Sequence, residues 1–321
     1  MINWEKYKDQ IFELSSRGRS SGQILTELIK SHPSIKFPVG SDRNIRKIVA
    51  DFKKSKEKFK DFTAPKILIF DIETHPIAAY TWTKWKANIN DSFIIHDWGI
   101  LCWSAKWLFE DKILNDSLTK KELKTLDDKR ISKSIWKLID EADVLIAHNG
   151  VKFDIKGVNT KFLEYGLGRP SPYQVIDTLK HARKRFSITS NRLDYIANNF
   201  FGVEGKFDSS GLWMEVMKNR DIKALKAMQD YCDQDIRVLE EVYLKMRGWI
   251  HPHPSVALLS MNMNNGCPAC GSEEKELCTT DYNTYVNSYT AYRCKGCGHI
   301  YRERKTKTPL SSNAGLKVST P

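Results

Sequence analysis

Residues 66–74 read Lys-Ile-Leu-Ile-Phe-Asp-Ile-Glu-Thr, an apolar run of strand length ending on two acids one residue apart. Side chains two apart on a strand point to one face, so Asp71 and Glu73 project together from its end. Apolar residues on both faces ahead of them predict a central strand. Two carboxylates there are costly to bury unless something cationic meets them.

Working outward, Pro76 breaks the run. Residues 79–85 (AYTWTKW) alternate as a second strand and 99–109 (GILCWSAKWLF) supply a third, so an antiparallel meander is expected. Trp82, Trp85, Trp98, Trp103 and Trp107 crowd it, and core filling is expected of them before stacking on unpaired bases. There follow a helix over 132–142, a buried strand over 143–149, a helix over 155–166, a strand over 173–179 and a long helix over 221–247. Strands first, then alternating helix and strand, is the order of a ribonuclease H-like mixed sheet flanked by helices, an α/β fold.

Further acids fall near the same sheet edge. Asp154 follows the strand at 143–149 through an Asn149-Gly150 turn and opens the next helix. On the long helix Tyr231 and Asp235 are i and i+4 and share a face, while Asp233 lies roughly opposite as a solvated acid. Asp177 is expected to cap the helix after its strand, His148 to be a turn or supporting residue, and His75 a turn residue.

Phe70-Asp71-Ile72-Glu73-Thr74, Asn149-x3-Phe153-Asp154 and Tyr231-x3-Asp235 together resemble the ordered motifs of the DnaQ-like, DEDD-type 3′–5′ exonucleases. The nearest flavour is the family-B DNA polymerase proofreading domain, and the resemblance covers residues 66–250. It implies that Asp71, Glu73, Asp154 and Asp235 are metal-binding acids. It also implies that Tyr231 fills the tyrosine position of the DEDDy subclass, since position 230, where the histidine subclass has its His, is Asp.

The chemistry fits those residue types. Four carboxylates in one cleft repel strongly without cations, and all-oxygen ligation selects two hard ions, Mg²⁺ or Mn²⁺. Such a pair activates a water and stabilises the departing 3′ oxygen, with Tyr231 orienting the water as a protonated phenol. No Ser/His/Asp or Cys/His set stands at a persuasive spacing for a side-chain nucleophile.

Cys267-Pro268-Ala269-Cys270-Gly271 and Cys294-Lys295-Gly296-Cys297-Gly298 are two CxxCG knuckles. They match the general pattern of a zinc ribbon, in which four thiolates close around one structural Zn²⁺. Cys278 and His299 are possible substitutes outside the knuckles, and Cys102 and Cys232 read as buried thiols. The ribbon can contact nucleic acid or dock on protein.

The net charge of +12 sits on the flanks. Residues 1–60 hold 14 Lys/Arg against 7 Asp/Glu, residues 266–321 hold 8 against 5, and the middle is nearly balanced at 29 against 27. That pattern suits terminal modules gripping a polyanion for a central one, or solvated lysine-rich faces. In the head, Trp4, Tyr7, Ile11 and Leu14 form one helical stripe. Ile24, Leu25, Leu28 and Ile29 form a second behind a cap at Ser20 or Ser21, and Ile45, Ile48, Val49 and Phe52 a third starting at Ser41. Arg43, Arg46, Lys47, Lys53 and Lys54 lie largely on the other faces of the third helix. Three short helices with a basic last one resemble a helix-turn-helix, the alternative being a helical cap on the middle domain.

The domains expected are therefore a basic helical head at 1–60, the exonuclease domain at 66–255, the zinc ribbon at 266–308 and a disordered tail at 309–321, with a polar linker at 260–265. No run approaches the length of a membrane span, and the charged N-terminus lacks a leader's apolar region, so a cytoplasmic protein is expected. The expected activity is removal of nucleotides from a 3′ end, on single-stranded DNA before RNA, with a polymerase or another replication or repair protein as a candidate partner. The rivals are a nucleic-acid-binding protein with an inactive core, an RNA-directed exonuclease, and an endonuclease.

Overall fold

The structure is a computed structural model of the 321-residue chain. It describes all residues except 1, 3, 17–19, 39, 61–64, 86, 203–210, 260–265 and 309–321, together with the side chains of 5, 9, 13, 15, 16 and 51–60. The expected linker and tail, and the side chains of Phe52, Lys53 and Lys54, thus lie outside the described residues. The chain divides into two compact units at the boundary between Ala64 and Pro65.

The first unit holds three helices, α1 (Lys8–Ser16), α2 (Ser21–Ser31) and α3 (Ser41–Lys60). A capping box opens α2: the Ser20 hydroxyl accepts from the Gln23 amide at 3.4 Å, and the Gln23 side chain accepts from the Ser20 amide at 2.9 Å. Tyr7, Ile11, Leu14, Ile24, Leu28 and Ile45 form its core. Ile29, expected on the buried stripe, is instead 47% exposed, because it stands a hundred degrees or so round the helix from Leu28. Arg43, Arg46 and Lys47 are exposed on α3, and Arg46 pairs with Asp42 at 2.6 Å.

The second unit is built on β1 (Ile67–His75). Then come β2 (Ala78–Ala79), β3 (Ile94–His96), β4 (Gly99–Trp107), β5 (Ile113–Ser117), α4 (Lys120–Thr125) and α5 (Lys129–Asp140). Next are β6 (Val144–Ala147), α6 (Asp154–Glu164), β7 (Gln174–Asp177), α7 (Thr178–Arg185), α8 (Leu193–Ile196), α9 (Leu212–Asn219) and α10 (Ile222–Met246). The main sheet has the order β5-β4-β1-β6-β7. β1 pairs antiparallel with β4 and parallel with β6, so it is the central strand of a mixed sheet.

Alternation along β1 explains its two-sided burial. Leu68, Phe70 and Ile72 pack with Ile131, Ile135 and Ile139 of α5 and Val158 and Phe162 of α6. Ile67 and Ile69 pack with Ile236, Leu239 and Tyr243 of α10. Continuing that second face gives Asp71 and Glu73, so the acids emerge where the apolar layer under α10 ends.

The meander differs from its expected form. Residues 79–85 form no strand beyond Ala79; β2 and β3 pair only with each other in a short ribbon. The second antiparallel neighbour of β4, on the side away from β1, is β5, whose Ile-Leu-Asn-Asp-Ser reads poorly as a strand. The alternation at 79–85 has no buried side to serve: Trp82 and Trp85 are 91% and 78% exposed, against the core role expected of them. Trp103 is buried, and Trp98 and Trp107 pack against the core.

Beyond α10 come α11 (Val256–Leu259) and a small sheet of β8 (Lys275–Asn283), β9 (Ser288–Cys294) and β10 (Ile300–Arg302), in the order β10-β9-β8. This Cys-rich piece sits directly against the end of α10. A Cβ on Gly248 would fall 2.5 Å from the Cys297 carbonyl oxygen, and the Val256 amide donates to the Pro268 carbonyl at 2.7 Å. The Tyr243 hydroxyl lies 3.1 Å from Nε2 of His253, and His299 stacks with Tyr301. Among the described residues no helix is long and apolar enough to cross a membrane.

Candidate active site

Three elements bring the carboxylates together. Asp71 and Glu73 come from β1, opposite Ser104 and Cys102 of β4, and a bulge follows Glu73. Asp235 comes from α10, which touches β1 at this level: the buried Cys232 sulfur lies 3.5 Å from Oδ2 of Asp71. One ligand oxygen from each of Asp71, Glu73 and Asp235 falls within 4.8 Å of the others.

Asp154 adjoins that triad from the first turn of α6 and is only 1% exposed. Its Oδ1 accepts from the Ile72 amide at 3.3 Å. The turn that presents it is tightly made. Asn149 has a positive φ of 71°, and a Cβ at Gly150 would meet the Ala147 Cβ at 2.4 Å, so only glycine fits there. Asp177 holds the turn from below, its carboxylate accepting from the amides of Asn149 at 3.0 Å and Val151 at 3.2 Å. It also caps α7 through the Lys180 amide at 3.1 Å, so its expected capping role and a supporting role coexist.

Burial raises the pKa of every acid in the group. Asp71 is pushed well above the usual carboxylate range by desolvation and then by Asp154, Glu73 and Asp235. Desolvation followed by Asp235 and Asp154 lifts Glu73 to about 8. Asp154 rises to about 7 by desolvation, against the opposing Ile72 hydrogen bond, and Asp235 to about 6 by desolvation, against a hydrogen bond from Tyr231. Tyr231 is itself raised, first by burial and then by Asp235, so its phenol is a donor at any ordinary pH. The causes are burial and neighbouring acids, with no cation among them. A gathering of desolvated carboxylate oxygens with no basic partner among the described residues is a donor set suited to hard divalent ions.

His148 supports the turn: Nδ1 lies 2.8 Å from the Thr178 hydroxyl and Nε2 2.9 Å from the Asn191 carbonyl. His75 is more than a turn residue. It is 2% exposed and packs so closely on Gly99 that a Cβ there would come within 2.6 Å of its Nε2. Asp233 is not a solvated acid. It is half-buried and accepts from the Ser104 hydroxyl at 2.6 Å, from the Asn115 amide at 2.7 Å and from Gln229 at 3.2 Å. No local signal reveals this, because Ser104 and Asn115 belong to distant strands.

Cys267, Cys270, Cys294 and Cys297 form a second cluster, with all four sulfurs within 4.8 Å of one another. Cys267 and Cys297 are 3.7 Å apart, and Cys270 and Cys294 3.5 Å, with every described cysteine free. A tetrahedral Zn²⁺ at about 2.3 Å from each sulfur separates the sulfurs by about 3.8 Å, so the set fits a closed zinc site. Cys278 is exposed and His299 directs Nδ1 toward the Gly248 carbonyl, so neither takes part.

A family model described as the RNase_H superfamily matches residues 112–247, the stretch that contains Asp154, Tyr231 and Asp235. The match covers less than half of the chain, and the five-strand mixed sheet flanked by helices is consistent with a ribonuclease H-like fold. Among curated proteins none matches the sequence. Among solved structures, the chain is similar to the family B DNA polymerase from the hyperthermophilic archaeon Pyrobaculum calidifontis. That similarity has a TM-score of 0.41 and 15% sequence identity, over 57% of this chain and 24% of the polymerase. The chain spans about a quarter of the polymerase's length.

Proposed function

We propose that this chain is a metal-dependent 3′–5′ exonuclease that hydrolyses phosphodiester bonds from the 3′ end of single-stranded DNA. One observation carries the reading: Asp71, Glu73 and Asp235 share a 4.8 Å cluster, and the buried Asp154 is bonded at 3.3 Å to the amide of Ile72, the residue between the two acids of β1. Asp71, Glu73, Asp154 and Asp235 would hold two Mg²⁺ or Mn²⁺ ions. When bound, such ions supply Lewis acidity and a water of lowered pKa.

The chain's own residues supply the rest. Tyr231, kept protonated by burial and by Asp235, orients the attacking water by donating or accepting a hydrogen bond and does not act as the base. Ile72 fixes Asp154 through its amide, and Asp177 fixes the turn that leads to it. The exposed Arg43 and Lys47, with Arg46, Lys53 and Lys54 of the same helix, offer positive charge for phosphates. The four cysteines would hold one Zn²⁺ in a structural role.

A 5′-labelled oligonucleotide incubated with Mg²⁺ or Mn²⁺ tests this. The expected result is a ladder of 3′-shortened products on DNA, slower release from the matched RNA, an intact circular strand, and no ladder with Asp71→Ala. Binding without shortening, or cleavage unchanged in Asp71→Ala, overturns it.

A further inference from the structure

The connection between β1 and β4 carries apolar side chains that the fold does not use. Tyr80, Trp82 and Trp85 are 72%, 91% and 78% exposed, and Ile77, Ile89 and Phe93 are exposed in the same connection. An isolated exposed ring is ordinary, but a run of them in one loop marks a contact surface. The loop is not loosely held. The Thr81 hydroxyl donates to the Thr83 carbonyl at 2.9 Å, the Thr83 hydroxyl to the Trp85 carbonyl at 3.3 Å, and the Tyr80 amide to the Phe93 carbonyl at 3.0 Å. The rings are therefore presented on a braced turn.

Charge narrows the choice of partner. No acid occurs between His75 and Asp91, whereas Lys84 lies between the two tryptophans with its ammonium 5.4 Å from the Trp85 ring centroid. Lys84 covers one face of Trp85, which leaves that ring's other face and the exposed Tyr80 and Trp82 rings for bases, with the ammonium beside them for a phosphate. The connection leaves β1 after His75, two residues beyond Glu73, and the nine residues from Glu73 to Trp82 limit their separation to at most ~30 Å, within the reach of a short stretch of unpaired nucleotides.

We infer that Tyr80, Trp82 and Trp85 form a stacking platform for the unpaired strand whose 3′ end enters the carboxylate site, with Trp82 and Trp85 each covering a base. The inference rests on the reading of the acids as a nuclease site. It adds that the substrate must be unpaired for several nucleotides behind its end, because a base within a duplex offers no free face to a ring.

The test uses the full chain carrying Asp154→Asn, titrated with a fluorescent single-stranded oligothymidine and with a blunt duplex. Trp82→Ala with Trp85→Ala is expected to weaken strand binding by about tenfold or more per ring, while Trp82→Phe with Trp85→Phe retains most of it. Lys84→Ala is expected to flatten the salt slope by about 0.7. Duplex binding should not follow the ring changes. Equal strand affinity with and without the rings, or an equal loss on strand and duplex, overturns the platform. Failure of the nuclease reading is separate: the wild-type protein would leave the strand end intact with Mn²⁺, while the ring-dependent binding is scored independently.

Discussion

The Ile72 amide and the Asp154 carboxylate, 82 residues apart in sequence, meet at 3.3 Å. Ile72 sits between the two acids of β1, so this bond ties the first turn of α6 to the strand that carries Asp71 and Glu73. It also opposes the burial that lifts Asp154 toward neutrality.

Asp154→Asn keeps the shape and removes the charge. Cleavage should fall by about a hundred- to a thousandfold, the loss expected when a group that stabilises transition-state charge is removed. The metal-free melting temperature should hold or rise by a few degrees, because a desolvated charge has been deleted. A labelled-strand assay beside a melting curve checks both. Residual wild-type rates would reject the residue as a metal ligand.

Without added divalent ions, stability should decline as pH rises. Glu73, Asp154 and Asp235 have folded-state pKa values of about 8, 7 and 6, and Asp71 is also raised. The unfolded chain ionises these groups near 4, so between about pH 4 and pH 8 the folded state holds more protons, and raising pH favours unfolding. Mn²⁺ should reverse the trend, protecting most at the alkaline end where the ligands are ionised. Melting curves across this range, with and without Mn²⁺, decide it; a metal-free profile that rises with pH would contradict the acid cluster.

Gly150→Ala places a methyl 2.4 Å from the Ala147 Cβ, and the turn must shift to accept it. A loss of about 1–3 kcal/mol in stability is expected from overpacking. Cleavage should fall by more than tenfold, because Asp154 moves with the turn. Asp177→Asn removes the charge from the acceptor of the Asn149, Val151 and Lys180 amides and should weaken cleavage in the same direction, by less. Calorimetry with a rate measurement separates these from a loss of folding; full activity in Gly150→Ala would show that the turn can give.

Cys294→Ser should lower the zinc content from one ion per chain to well below one and reduce the melting temperature. Elemental analysis of purified protein reads the first, and a thermal scan the second. Unchanged stability in a zinc-free variant would mean that the cluster contributes nothing to the fold.

Much of the site was legible because it rests on short periodicities. Asp71 and Glu73 share a face by strand alternation, and Tyr231 with Asp235 by one helical turn. The knuckles announced the sulfur cluster in the same way. What escaped depends on partners far along the chain. Asp233 reads as a surface acid until Ser104 and Asn115, 129 and 118 residues away, are brought to it. The strand at 113–117 is too polar to stand out, and it forms because β4 offers it an edge. Trp82 and Trp85 look like core residues because composition cannot tell a ring that fills an interior from one held out to solvent.

Gly248 joins the helix that carries Asp235 to the cysteine cluster. From Asp235 the helix runs about 16 Å to its last turn at Met246, at 1.5 Å per residue, and meets the second knuckle across a contact too close for a methyl group. A rod gripped at one end transmits force to the other. A shift of the cysteine-bearing hairpin would therefore press on the same helix that carries Asp235.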